Sequence, residues 1–414
     1  MQSLKTTVVK AATLVAVKSS RIIETVFAVC NARKGQQIEL LIVDDFYPGI
    51  LSAFRIAEYN HYLEHLPSAE VHSTRSSNFF FRSKESFQEK MHEHSKYYPH
   101  LKGRIKKFNK RVKPNCKLLY TVFINNIYSV IDYVDKHRVP FVFTLYPGGG
   151  FHLNEPEADM KLARVFASPY FKKVFITQKI TGEYLLEKGY CQAEDIVFIY
   201  GCVLPSLQLS GLLSNKRRFK VDKDSFDICF VAAKYTPRGV DKGFDVFIKV
   251  AKLLCERYGK INFHVVGSFD SSDIDVSSIS DRITFYGLRP TDFFPGFYSG
   301  MDAILSPNVP FVLAPGAFDG FPTGSCMEAG LCGVAVFCSD PLQQNIAFED
   351  RQEIVIIPRA AEEIAAIVER YHQVPEELYR LAENGQRAFS KALDLNVQME
   401  VRMKVLGELL REPS

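Results

Sequence analysis

The stretch Asp319-Gly-Phe-Pro-Thr-Gly-Ser-Cys-Met-Glu328-Ala-Gly-Leu-Cys-Gly333-Val-Ala-Val-Phe337 decides how this sequence is read. A carboxylate stands before a Gly/Pro/Thr/Gly/Ser loop, and a second carboxylate follows nine positions later, inside what reads as a helix. Gly333 ends that helix ahead of the apolar run Val334 to Phe337, which reads as a buried strand. A loop of this composition entering a helix leaves backbone N–H groups free at the positive end of the helix dipole, a ready site for phosphate. The flanking carboxylates can accept hydrogen bonds from ribose or sugar hydroxyls. A phosphate cradle between two hydroxyl acceptors suits a nucleotide-sugar.

Working outward, strand-like and helix-like segments alternate on both sides of this stretch, the pattern of a mainly parallel α/β fold. Before it come Ile38–Asp45, Leu118–Ile124, Phe141–Tyr146, Lys173–Thr177 and Ile196–Tyr200 as expected strands, with an amphipathic helix over Ala53–Leu66. A second series runs through Phe226–Val231, Ile261–Val266, Ile283–Tyr286, Ala303–Leu305, Val334–Cys338 and Glu353–Ile357. Each run is short and apolar, as strands covered on both faces should be. Apolar density falls between Ser206 and Asp224, which reads as a linker. The 414 residues exceed the usual single-domain size, so two domains are the natural expectation. The boundaries read as a helical leader over 1–36, a first Rossmann-like domain over 37–205, a linker over 206–225, a second Rossmann-like domain over 226–374 and closing helices over 375–414.

Composition sets limits. Hydrophobic residues make up 47% and charged residues 24%, the values of an ordinary globular protein, and a net charge of +4 does not call for nucleic acid. The nine cysteines contain no Cys-x-x-Cys pair, and even the regularly spaced Cys326, Cys332 and Cys338 have no histidine near them in sequence. They read as buried reduced thiols, not as zinc ligands or disulfides. No run approaches the roughly 18 apolar residues of a membrane span. The leader's Val8–Cys30 is broken by Lys10, Lys18, Arg21 and Glu24, which argues against a signal peptide. It reads as a helix packed on the body, with a helix lying on a membrane surface as the alternative.

The acidic segment resembles the signature of the retaining glycosyltransferases of the large family 4 type, also known as glycosyl transferases group 1. The resemblance implies the GT-B fold: two doubly wound Rossmann-like domains facing a central cleft. The family pattern separates two glutamates by seven residues; here eight residues lie between Asp319 and Glu328, and strict spacing would fall on Gly320. It further implies that Glu328 holds the ribose hydroxyls, that Asp319 contacts the donor sugar, and that Thr323, Gly324 and Ser325 line the phosphate site. The loop Ala232-Ala-Lys234-Tyr-Thr-Pro-Arg238-Gly-Val-Asp-Lys242-Gly243 carries three cations from a strand end into a helix, where an α/β protein binds a diphosphate. It resembles the family's Arg/Lys pair, which neutralises the leaving nucleoside diphosphate. Lys242 matches the lysine, and Arg238 or Lys234 the partner. Gly267, after the strand Ile261–Val266, resembles a family turn bordering the nucleotide. Asp270, Asp273 and Asp275 lack the glycine and distal glutamate of a calcium loop and read as solvated.

In the first domain Gly49 follows the opening strand, where the resemblance implies a glycine-rich loop near the donor phosphates. Gly148-Gly149-Gly150 imply a close backbone approach. His152 just beyond them reads either as a structural histidine or as one that binds a sugar hydroxyl or moves a proton; many relatives have a histidine where Tyr146 stands. The Lys102–Lys117 segment holds eight Lys or Arg and no acid. A solvated helix face is the first reading, anionic membrane contact the second. Nucleic acid is not expected, because no aromatic stacking platform accompanies the charges.

The residues and the resemblance together point to a glycosyltransferase that moves a hexosyl or related sugar from a nucleotide-sugar to a glycan or lipid-linked acceptor, and the resemblance implies that transfer retains configuration and needs no metal. No cofactor is expected beyond that donor, and the expected place is the cytoplasm or the inner face of the membrane. A non-catalytic nucleotide-sugar or glycan-binding relative and a sugar-nucleotide epimerase of the same fold stay open. A phosphorylase would need a pyridoxal phosphate lysine site that the sequence does not offer, and no Gly-x-Gly-x-x-Gly follows Ile38 as a dehydrogenase would require.

Overall fold

The computed structural model describes residues 37–74, 86–205, 209 and 215–412. The expected leader, residues 206–208 and 210–214 of the expected linker, and the readings placed on them lie outside the described residues.

Apolar runs become the central strands of two parallel sheets. In the first, β1 (Ile38–Asp44), α1 (Ala53–His65), β2 (Glu70–Ser73), α2 (Phe87–Tyr97), β3 (Ile105–Lys107), β4 (Cys116–Val122), α3 (Ile124–His137), β5 (Phe141–Leu145), α4 (Pro156–Phe166), β6 (Phe171–Ile176), α5 (Lys179–Glu187) and β7 (Ile196–Phe198) follow one another. In the second come β8 (Phe226–Val231), α6 (Phe244–Arg257), β9 (Ile261–Val266), β10 (Ile283–Gly287), α7 (Phe293–Ser299), β11 (Ala303–Ser306), α8 (Gly324–Leu331), β12 (Ala335–Cys338), β13 (Val355–Ile356) and α9 (Ala361–Gln373). The sheet orders are β3-β2-β1-β4-β5-β6-β7 and β10-β9-β8-β11-β12-β13. Both orders reverse direction beside their first strand, at β1/β4 and at β8/β11. In a doubly wound sheet, that point opens a crevice at the strands' carboxyl ends.

Helix α6 illustrates how the layers form. Its buried residues Phe244, Phe247, Ile248, Ala251 and Leu254 fall on one stripe, at the spacing that turns an apolar face to a sheet. Gly243 stands before it at φ +71, and a Cβ there would lie 2.0 Å from the Pro307 carbonyl oxygen. Only glycine tolerates both the left-handed backbone and that approach.

Strands β2 and β3 escape sequence reading because they are short and polar: β3 is an edge strand, and β2 lies next to it. This corrects the helix-face reading of Lys102–Lys117. The run forms a 3₁₀ turn over Pro99–Arg104, edge strand β3 and a loop leading to β4. Lysines on an edge strand discourage pairing with another chain. Arg104 turns inward and donates to the carbonyls of Leu63 and Leu66 at the end of α1.

The closing segment divides into two parts. Helix α10 (Pro375–Ala392) stays on the second domain, where Gly330 of α8 makes room for the Phe389 ring, a Cβ at Gly330 being 2.2 Å from it. Helix α11 (Leu395–Arg411) begins at Asp394, which accepts from the N–H groups of Asn396 and Val397, and packs Met399 and Leu406 into the core of the first domain. Fully buried Arg402 of α11 stands 3.8 Å from the fully buried Glu58 of α1. Glu58 also accepts hydrogen bonds from Tyr62, Tyr120 and Tyr146. No helix among the described residues is long and apolar enough to cross a membrane.

Removing one partner of a buried pair strands the other charge, at a typical cost of about 3–5 kcal/mol. Glu58→Ala is therefore expected to lower unfolding free energy by about that amount in urea titration. Glu58→Leu combined with Arg402→Met is expected to cost less than the single change, because no charge then remains to be desolvated.

Candidate active site

The two sets of strand carboxyl ends meet across a cleft of about 440 Å³. From the first domain it is lined by Leu51 and Phe54 after β1, Phe123 after β4, Tyr146 after β5 and Gln178 after β6. From the second come Tyr235 and Lys242 after β8, Gly267 after β9, Leu288 and Arg289 after β10, Asn308 and Asp319 after β11, and the start of α8 with Glu328. The domains also bond beyond the cleft. On one side Thr291 donates to the Ile50 carbonyl (3.2 Å) and Tyr97 to Asp292 (3.0 Å). Elsewhere the Leu153 N–H reaches the Gly316 carbonyl (2.9 Å) and the Phe321 N–H the Gln178 side chain (3.0 Å).

On the second-domain wall, Lys242 and Asp319 straddle the β8/β11 switch point. The Lys242 ammonium lies 2.6 and 2.7 Å from the two Asp319 oxygens, and Asn308 donates to Asp319 Oδ2 at 2.7 Å. Burial pulls the Lys242 pKa down, but the charge and hydrogen bond of Asp319, helped by Tyr235 and Asp241, outweigh it and the net shift is upward. The lysine is thus a fixed cation at the cleft.

Helix α8 opens toward the same space. Thr323 precedes it in an extended conformation and makes no side-chain cap to the first turn. Its hydroxyl instead pairs with Ser325 Oγ at 3.1 Å. The N–H groups of that turn therefore lack a side-chain acceptor, which is the condition for anion binding. One turn further, Glu328 has no ion pair or side-chain hydrogen bond among the described residues, and burial alone pushes its carboxyl up to about 7.

The candidates from sequence separate at this point. Asp319, Lys242, Glu328, Gly267, Thr323, Gly324 and Ser325 all line the cleft. Arg238, Lys234, Gly49 and His152 do not. Arg238 is exposed in a turn at φ +59. Lys234 is held by both oxygens of Asp273, at 2.7 and 2.9 Å, because the long loop after β8 swings it toward the turn after β9. Gly49 is buried beneath Phe46, where a Cβ would meet the ring at 2.5 Å, and residues further along that loop reach the cleft instead. His152 sits in the bridge between domains, next to Leu153 on Gly316 and to Phe151, whose ring stacks edge-on to Phe318 at 5.7 Å.

Sequence reasoning missed Arg289, Asn308 and the aromatic face of the first domain. Arg289 makes no ion pair among the described residues and lies over the Phe293 ring at 5.4 Å. It occupies the position that singled out Lys242, a cation just past a parallel strand's carboxyl end, and the same rule could have found it.

Residues 214–388 match the family model described as glycosyl transferases group 1. Among solved structures, the Anabaena protein Alr3699/HepE in complex with UDP superposes with a TM-score of 0.60 at 15% identity, covering 89% of this chain and 100% of that one. A glycosyltransferase from Rickettsia africae gives 0.60 at 14% identity over 92% and 100% of the two chains. Sucrose-phosphate synthase from Thermosynechococcus elongatus gives 0.57 at 14% over 89% and 99%. No curated protein matches the chain. The fold is GT-B, with two Rossmann-like domains around one cleft, and its second half carries a glycosyl transferases group 1 domain. Domain and fold together support a glycosyltransferase.

The raised carboxyl of Glu328 has a definite sign. A folded-state value about 7, above the usual 4.5, means that the folded chain keeps its proton longer, so stability falls as pH rises from about 4.5 to about 7. Glu328→Gln removes this penalty. The variant is expected to be more stable than the parent at pH 8, on the order of 1 kcal/mol, and to match it near pH 4, in thermal denaturation at both pH values. Equal stabilities at pH 8 would mean that the carboxylate is well solvated.

Proposed function

We propose that this protein is a retaining glycosyltransferase with a UDP-sugar as donor and a glycan or lipid-linked acceptor. The observation that carries the reading is the Glu328 carboxylate, unpartnered among the described residues, one turn behind the open N-terminus of α8, with Lys242 fixed on the same cleft. A diphosphate at the helix N-terminus is met by N–H groups, the dipole and the ammonium, and Glu328 is then within the same helix to accept from ribose hydroxyls. UDP is the base proposed because Alr3699/HepE was solved with it and with UDP-glucose.

The chemistry follows from these roles. The acceptor hydroxyl forms a bond to the anomeric carbon as the bond from that carbon to the diphosphate oxygen breaks on the same face. The hydroxyl proton passes to the departing diphosphate. Lys242 and the α8 N–H groups bear the charge growing on that leaving group, an electrostatic contribution of the kind that usually dominates. Asp319 would orient the donor sugar, although its oxygens are engaged by Lys242 and Asn308 before any ligand arrives. That engagement favours one second reading, a relative that binds the nucleotide-sugar without transferring it.

Thermal stabilisation against UDP, GDP, ADP and their sugar conjugates, with and without EDTA, tests the proposal. UDP and one UDP-sugar are expected to raise the melting temperature by several degrees in either buffer. Glu328→Ala and Lys242→Ala should abolish the shift. Slow hydrolysis of the UDP-sugar would exclude the binding-only reading. No shift with any nucleotide would end both readings.

A further inference from the structure

The first-domain wall of the cleft has a chemistry of its own. Phe54 stands at the start of α1, the helix that follows β1, Phe123 leaves β4 across the switch point, and Tyr146 follows β5. Their rings meet edge to face or tilted, with centroids 6.0 Å (Phe54–Phe123), 5.2 Å (Phe54–Tyr146) and 5.7 Å (Phe123–Tyr146) apart. Among the described residues of this domain, no charged side chain lines the cleft. The nearest charge is cancelled beside the rings. Arg55 stands 5.0 Å from the Phe54 and Phe123 ring centroids, and is paired at 3.0 Å with each of Asp44 and Asp45.

Two of the polar groups on this wall, those of Tyr146 and Gln178, are also engaged. The Tyr146 hydroxyl donates to Glu58 (3.3 Å) and the Gln178 side chain holds the Phe321 backbone (3.0 Å). Across the cleft, Leu288 adds an apolar side chain that remains 45% exposed.

Phe123 is held in place at a cost. Its φ of +69 is a left-handed value that a bulky residue adopts only under constraint. The constraint is the triple-glycine loop. Gly149 packs so close to the Phe123 ring that a Cβ would lie 2.3 Å from it, and the Asn125 N–H bonds the Gly149 carbonyl at 3.1 Å. Backbone strain of about 1–3 kcal/mol spent to aim an aromatic ring into a cleft marks a ligand-facing position.

We propose that Phe54, Phe123 and Tyr146 form the acceptor platform and that it takes an uncharged acceptor whose hydroxyl is carried on an apolar body, in preference to a free sugar or a phosphorylated one. The proposal rests on the transferase reading for the word acceptor, and on the wall itself for the chemistry. A free sugar needs more hydrogen-bond partners than this wall offers, and a phosphorylated acceptor needs a cation, whereas the cations that line the cleft, Lys242 and Arg289, belong to the donor wall. An alkyl or aryl body gains from burial against three rings, about 25 cal/mol for each Å² covered.

Calorimetric titration of hexyl β-D-glucoside, methyl β-D-glucoside and glucose 6-phosphate into the full chain saturated with UDP tests this, with UDP titrated separately. Hexyl glucoside is expected to bind at least about tenfold more tightly than methyl glucoside, and glucose 6-phosphate more weakly than both. Phe123→Ala should weaken hexyl glucoside about tenfold and leave the UDP affinity unchanged. Phe54→Ala, on helix α1 and free of the strained backbone, should do the same if the first variant folds poorly. Equal affinities of the two glucosides, or tighter binding of the phosphorylated sugar, would overturn the proposal. Failure of UDP to bind would sink the donor-site reading alone, since the contrast between the glucosides would still report on the wall.

Discussion

The Lys242–Asp319 pair is the interaction on which the site depends. An ammonium buried in a cleft loses hydration worth several kcal/mol, and it stays charged only if a counter-charge is fixed beside it. Asp319 supplies that charge from the other side of the β8/β11 switch point, so the pair ties together the two loops that must face a ligand. Gly243 makes this possible by letting the chain turn into α6 against Pro307 immediately after the lysine. A diphosphate entering the cleft would meet a cation already positioned and desolvated, so less reorganisation would remain than at a flexible surface lysine. It would also compete with Asp319, whose hydrogen bond from Asn308 gives the carboxylate a second partner.

Much of the fold was legible because parallel strands covered on both faces have to be apolar. Phe226–Val231, Ile261–Val266 and Ile38–Asp45 announced themselves for that reason, whereas Glu70–Ser73 and Ile105–Lys107 at the sheet edge did not. The basic run was misread as a helix face because charge alone does not distinguish an exposed helix from an edge strand. The candidate site was legible where chemistry and backbone coincide. Lys242-Gly243 and Thr323-Gly324-Ser325 mark helix starts at strand ends, and their positions follow from that. Arg238 and Lys234 share residue type with the cleft groups Arg289 and Lys242, and His152 has the chemistry of a sugar-binding group, but loop length and the contact between domains decide where they point. No periodicity encodes either.

The two walls of the cleft differ in how they achieve their chemistry. The second domain keeps polar groups unsatisfied or only internally paired: Glu328 without a partner among the described residues, the first turn of α8 without a side-chain cap, Lys242 balanced chiefly by Asp319. Such groups cost stability in the free protein and are repaid when a polar ligand binds. The first domain does the reverse. Asp44, Asp45 and Arg55 close on one another, and Glu58 and Arg402 do so beneath Tyr146, so that little charge is left over for the cleft.

This asymmetry gives the terminal helix a role beyond bracing. Arg402 reaches from α11 to Glu58, and Glu58 holds the hydroxyl of Tyr146, whose ring forms part of the aromatic wall. Two of the guanidinium nitrogens, Nε and Nη2, have no hydrogen-bond partner among the described residues, an expensive condition for a fully buried charge. A core built for stability alone would be better served by apolar residues at both positions. What the pair does provide is a fixed direction for the Tyr146 hydroxyl, away from the cleft, so that the ring and not the oxygen faces a ligand. The apolar character of the wall is thus maintained by charges that are paired with one another beside it, Arg402 of α11 with Glu58 of α1, and Arg55 of α1 with Asp44 and Asp45 at the end of β1.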